Sequence, residues 1–354
     1  MSLLGSTTIA SVLLLGGEAS AAAPAFSITT SPISEDLHIK PGTNNTSTLQ
    51  IMNNNTAPVQ VSLQLEVFSA NGTNGEAAIN PLPPGDPEAS WVHFSKSTFI
   101  ANPGVYTPIQ MTIDLPASAE LGYYYAVLFK PTLPNSTAPH STTIKGANAI
   151  LVLVDTNSGN EDRQLRVSNF STSKKLYQYL PANFNVTVKN GGNIFLAPSG
   201  DIYISKSSNF THPLSVININ PGDGNVLPNS IRIFKTSWAN GFPVYKTKTL
   251  DGQPLLNKSG QPVQKLTWNF TELGKFRFGK YYAHLALVYN DGNEEIPINS
   301  VLSFWVIPWK LLLIFLILII IILIGVLSLS RSLYRRVRGL QKLPKRVKIR
   351  KNES

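Results

Sequence analysis

No cysteine occurs in the 354 residues. That absence excludes disulfides, thiol nucleophiles, iron–sulfur clusters and Cys-ligated zinc, so any exported domain must be held by its core and its strand ladders. Histidine is nearly as scarce. His38, His93, His140, His212 and His284 stand singly, with no second His at i+2 or i+4 to make a local zinc pattern. No serine sits in a Gly-x-Ser-x-Gly elbow. Glu294 and Glu295 are adjacent, so on a strand they point to opposite faces and do not flank a glycosidic bond. Asp223 and Asp251 lie in Asp-Gly turns, too few carboxylates for calcium. These absences predict a non-enzymatic chain without metal or cofactor. Helical periodicity is missing too: before residue 309 no stretch of ten residues keeps a 3.6 period.

What the chain does have is one long apolar run. Trp309-Lys310 is followed by LLLIFLILIIIILIGVLSLS, Leu311 to Ser330, with no polar side chain up to Ile324. At about 1.5 Å per residue the run reaches roughly 30 Å, the hydrocarbon thickness of a bilayer. We assign 308–330 as a transmembrane helix and 331–354 as a basic cytoplasmic tail. The tail carries nine of the ten net positive charges, which argues for membrane orientation and against nucleic acid. Trp305, Trp309 and Lys310 mark the outer interface, and Arg331, Arg335, Arg336 and Arg338 the inner one, beside anionic lipids. The expected localisation is the cell membrane, single-pass, with the N-terminal domains extracellular and the C-terminus cytoplasmic.

Residues 1–21 read as a signal peptide, with Ile9 to Leu15 as apolar core and Ala19-Ser20-Ala21 as the cleavage site. From Phe26 the period is two. Val59, Val61, Leu63, Leu65 and Val67 alternate with Gln60, Ser62, Gln64 and Glu66, and Ile109, Met111 and Ile113 alternate with Gln110, Thr112 and Asp114. Tyr123 to Phe129 and Ala147 to Val154 are denser runs, as expected of central strands. Pro- and Gly-marked turns separate them. The spacing predicts an immunoglobulin-like sandwich over 22–155, a polar linker at 156–163 and a second sandwich over 164–307. The second repeats the vocabulary of the first: Phe184, Val186 and Val188 run into Lys189-Asn190-Gly191 much as Leu49 to Asn55 does, and Gly279 to Leu287 echoes Gly122 to Leu128. The fold class is therefore all-β, two tandem sandwiches followed by one transmembrane helix. Rings able to stack on sugars or anchor a protein are Trp91, Phe94, Tyr123, Tyr124 and Tyr125.

Several motifs carry a family resemblance. Pro41-Gly42, Ser90-Trp91-Val92, Asn102-Pro103-Gly104, Leu115-Pro116-Ala117 and the run Gly122 to Pro131 are similar to the N-terminal domain of the WxL-interacting cell-surface proteins of Gram-positive bacteria, over about residues 26–155. Val188 to Asn193, Pro198 to Gly200 and Val226 to Arg232 resemble the second domain of envelope proteins of this layout, and Val306 to Lys310 resembles their entry into the membrane helix. The resemblance implies peptidoglycan binding. The expectation is a membrane-anchored binding protein linking the membrane to cell-wall glycan or to another envelope protein. Its alternative is a structural or assembly component of a surface complex or pilus, in which domain one offers a strand edge to a partner.

Overall fold

The computed structural model describes residues 26–132, 148–156 and 158–340, with side chains up to Arg335 in the last stretch. The expected signal peptide and the tail beyond residue 340 lie outside the described residues, as do the side chains of Arg336 and Arg338. The chain forms two immunoglobulin-like sandwiches and one long apolar helix. Two compact units divide between Asn160 and Glu161, with Ala70–Ala77 grouped in the second.

The first unit is built from β1 (Ile28–Ser31), β2 (Ser34–His38), β3 (Asn44–Asn53), β4 (Val59–Asn71), β5 (Glu76–Pro81), β6 (Val92–Phe94), β7 (Thr98–Ala101), β8 (Tyr106–Asp114), β9 (Gly122–Pro131) and β10 (Asn148–Asp155). One sheet has the order β1-β3-β8-β6. The other is β2-β10-β9-β4-β5, with β7 also on β4. Period-two patterning places the core: Ile109, Met111 and Ile113 of β8 are buried while Gln110 and Asp114 are exposed. In β9 both faces are covered, with Tyr125, Val127 and Phe129 in the core and Ala126 and Leu128 buried behind them. Glu66 departs from the expected polar face. It is buried, and its carboxylate accepts from the Gln64 amide at 2.6 Å beside the Lys130 ammonium at 3.8 Å.

The second unit repeats this plan. Its strands are β11 (Leu165–Thr172), β12 (Leu176–Tyr177), β13 (Ala182–Asn190), β14 (Ser199–Ser205), β15 (Ser215–Asn218), β16 (Ile231–Trp238), β17 (Val244–Thr247), β18 (Thr249–Leu250), β19 (Gln253–Pro254), β20 (Gln264–Thr267), β21 (Gly279–Asn290) and β22 (Glu295–Val306). Sheets β11-β13-β16 and β12-β22-β21-β14-β15 face each other, and the ribbons β17-β20 and β18-β19 are appended. In each unit the first strand pair splits between the sheets. β1 pairs with β3 and then β2 runs parallel to β10; β11 pairs with β13 and then β12 runs parallel to β22.

A buried asparagine fixes the same corner in both units. Asn53, at the end of β3, donates its side-chain amide to the carbonyls of Ala57 (2.8 Å) and Ala101 (2.9 Å), and its oxygen accepts from the Asn55 N–H at 2.9 Å. Asn190, at the end of β13, donates to Ile194 (2.7 Å) and Val226 (2.8 Å) and accepts from Gly192 at 2.9 Å. Both side chains are fully buried.

Helix α1 runs Trp309–Leu340. Its candidate membrane span is Trp309–Arg335, within which an 18-residue stretch has a mean hydropathy of 3.5 and no part buried within the protein. The membrane span was expected over 308–330; the helix itself continues to Leu340, through Arg331 to Leu340 with its helix-favouring Arg and Leu and no proline.

Asn190 satisfies three buried backbone groups and Asn53 one buried and two partly buried ones, and an unsatisfied buried group costs about 1–3 kcal/mol. N190A should lower stability by roughly 2–4 kcal/mol in chemical denaturation, and N53A by roughly 1–3 kcal/mol. N190D should cost more than N190A, because its carboxylate faces the Ile194 and Val226 carbonyls.

Candidate functional site

The five rings singled out in the sequence do not form one exposed platform. Tyr125 is fully buried, stacked 6.3 Å from Tyr123. Trp91 meets Tyr123 edge-on at 5.2 Å, and these two with Phe94 are half-buried against the core. The Tyr123 hydroxyl accepts from the Glu120 N–H at 3.1 Å, which pins its ring further. Tyr124 points to the other face of the sheet, edge-on to Phe68 at 5.9 Å. Their alternation along β9 splits them between two faces, and the sandwich core claims one of those faces.

Among the described residues no three of His, Cys, Asp or Glu gather as metal ligands. His38 sits 3.3 Å from Asp155 and His93 3.5 Å from Asp114, each pairing across neighbouring strands. His284 is buried in β21 under the ring of Phe210, and burial pushes its pKa down.

The distinctive feature lies in the second unit, on the lateral edge of β22. Successive residues of a strand direct their backbone N–H and C=O to alternate sides. In β22 the Trp305 N–H donates to the Lys175 carbonyl at 2.8 Å, on the side away from β21. Residues of the same parity, Pro297, Asn299, Val301 and Ser303, therefore aim their backbone groups the same way. Pro297 fits this assignment, because proline in a sheet is confined to positions whose nitrogen faces no partner. β12 pairs only with Trp305 and Val306. Among the described residues no strand pairs with that side of β22 from Glu295 to Phe304, although β11 lies alongside.

Side-chain burial follows the same division. Phe304 and Val306, which β12 covers, are buried, whereas the inward-facing Ile296, Ile298 and Leu302 are only half-buried. The first unit differs. There β2 pairs with β10 from Leu151 to Asp155, and the Leu151 N–H and Asp155 C=O are bonded to Ile33 and Ile39. A strand edge was expected in domain one; the long open edge belongs to the second unit.

The expected membrane-interface residues Trp305, Trp309 and Lys310 lie where β22 hands over to α1, with Trp305 and Trp309 exposed and the Lys310 ammonium 5.6 Å from the Trp309 ring. Arg331 and Arg335 are exposed near the other end of α1.

No family model and no curated protein matches the chain. Among solved structures it is similar to a chain of a chaperone–tip adhesin complex of CFA/I fimbriae biogenesis, at 21% identity over 68% of this chain and 98% of that one, TM-score 0.33. It is similar to the class 5 fimbriae chaperone CfaA at 17% identity, 78% and 99% coverage, TM-score 0.34. The CupB2 chaperone of Pseudomonas aeruginosa stands at 11%, 77% and 100%, TM-score 0.32. These likenesses concern fold. The resemblance to the WxL-interacting proteins is corrected: no family model matches the chain, and CfaA and CupB2 are chaperones. The motifs behind that resemblance are structural. Gly42 and Gly104 take φ of 77° and 69° in tight turns, while Trp91, Tyr123 and Tyr125 pack on the core, and sandwiches in general need both.

Glu88, near Tyr125, offers a test of this packing. Burial raises its pKa above the usual carboxylate range, partly offset by the Tyr125 hydroxyl, with Asp86 adding to the rise. A raised acid is bound more weakly as carboxylate in the folded state, so its unfavourable contribution is absent at low pH and grows as pH rises through the raised value. E88Q should therefore gain stability relative to wild type at about pH 7 and lose that advantage near about pH 4, read by urea melts at both.

Proposed function

We propose that this protein is a membrane-anchored, non-enzymatic assembly or tethering component that takes up an extended segment of an envelope partner along β22. The observation that carries the reading is the open edge. The unpaired N–H groups of Asn299, Val301 and Ser303 and the half-buried Ile296, Ile298 and Leu302 supply what an added strand needs, hydrogen bonds on one side and apolar sites on one face, interrupted only at Ser300. The partner segment accordingly has alternating apolar residues and few charges. In this reading α1 spans the bilayer, with both sandwiches outside and the basic end inside, after export by the N-terminal signal. Glycan stacking is less favoured, because the rings that would serve it are packed.

Hydrogen exchange on the full-length protein in nanodiscs checks the parity. The amides of Asn299, Val301 and Ser303 should exchange quickly, and those of Ile298, Ser300 and Leu302, which face β21, slowly. A photo-crosslinker at Asn299 should capture one discrete envelope protein in cells. V301P removes one donor in a strand that already accepts Pro297, so it should lower capture about tenfold, a loss of the size of one hydrogen bond. Equal protection of the two sets of amides in the isolated protein would overturn the reading.

A further inference from the structure

The second unit carries a second surface. Strand β21 begins at Gly279, paired with Val306, and three residues after Val306 the helix starts at Trp309. The segment before Gly279 and the Lys174–Leu176 turn, whose Leu176 is opposite Trp305, therefore leave the sheet at the end nearest α1. That end is apolar and exposed. Phe270 is 70% exposed and Leu273 59%, on a short 3₁₀ turn (Phe270–Lys275), and Phe276 and Phe278 follow, also exposed.

These side chains are continuous with the start of the helix. A groove of about 530 Å³ is lined by Trp309, Tyr177, Tyr179, Tyr245 and Lys174. The Tyr179 ring lies 6.4 Å from Trp268, which stacks at 6.4 Å on Phe270. Phe270 also sits 5.6 Å from Phe242, whose N–H donates to the Lys275 carbonyl at 2.9 Å, so the turn is held in place. The segments at this end are rich in cations: Lys174, Lys175, Lys275, Arg277, Lys280 and Lys310 lie in them, and Glu272 is bridged to Lys275 at 3.0 Å.

Four exposed aromatic or aliphatic side chains within nine residues, two on the turn and two just after it, are unusual on a surface facing water. Aromatic rings with flanking cations are the chemistry of the bilayer interface, where ring and headgroup meet. We infer that this end of the second unit docks on the lipid leaflet that α1 enters, with Phe270 and Leu273 in the interfacial zone and the cations among the phosphates. The unit is then held to the bilayer at two points, which fixes its tilt and the direction in which the β22 edge faces. This inference rests on the reading of α1 as a membrane span.

The cysteine-free chain allows single-site labelling with no background. Nitroxides are attached to F270C, L273C, I319C and N293C in the full-length protein, reconstituted in vesicles of phosphatidylcholine and phosphatidylglycerol. I319C reports the span. N293C, in the hairpin at the opposite end of β22, reports water. Collision with oxygen relative to an aqueous nickel complex should be at least about threefold higher at F270C and L273C than at N293C, and highest at I319C. If F270C and L273C match N293C while I319C is deep, the docking inference is wrong and the span stands. If I319C itself matches N293C, the spanning reading fails and the inference with it. Both labelled turn positions are exposed, so neither substitution removes core packing.

Discussion

The structure depends on lateral closure of its sheets by backbone hydrogen bonds, because the chain has no covalent cross-link to do it. In each unit the first strand pair is divided between the two sheets, so one short stretch of chain ties them together at the edge. A strand-end asparagine then fixes the corner where the chain leaves the sheet by holding two carbonyls and one N–H, all three buried at Asn190 and one of them buried at Asn53. A disulfide would constrain the unfolded state; these devices act in the folded state and need every partner in place.

Much of this was legible in the residues. The alternation of Ile109, Met111 and Ile113 marks a strand with one face in the core, and the run from Leu311 marks the helix. The likeness of Leu49–Asn55 to Phe184–Asn190 reflects a shared physical device, the two corner asparagines. What misled was the reading of rings. Tyr123, Tyr124 and Tyr125 alternate, so at least one ring of the three had to leave the core face; Phe68 half-covers that ring, and Phe68 is distant in sequence. Burial of Glu66 likewise depends on Lys130, which is on β9, five strands further along the chain than β4.

The open edge of β22 was not legible as such, since which strands pair is set by contacts remote in sequence. One local signal existed. Pro297 sits inside a run that otherwise reads as a strand, and a proline there is compatible only with a position whose nitrogen faces no neighbour. Parity carries that statement along the chain to Asn299, Val301 and Ser303. The WxL likeness failed for a related reason. Turn glycines and packed aromatics are what a sandwich requires locally, so they report the fold and are silent about its edges.

An edge of this kind is ordinarily a liability, and natural sheets blunt theirs with charge, proline or short strands. Here the blunting is confined to the ends. Glu295 and Pro297 guard the hairpin side, and β12 covers Trp305 and Val306 on the side next to α1. Between them stand three free donors, each worth about 0.5–1.5 kcal/mol net, together with partly exposed apolar side chains. That sum supports a weak, reversible contact in free solution. Anchoring changes the arithmetic. A partner held in or near the same membrane meets the edge at a raised effective concentration, so a contact too weak to aggregate the protein at random becomes sufficient between neighbours on one surface. In the proposed reading the open edge and the long helix belong to one design, in which the membrane supplies the proximity that the strand alone does not.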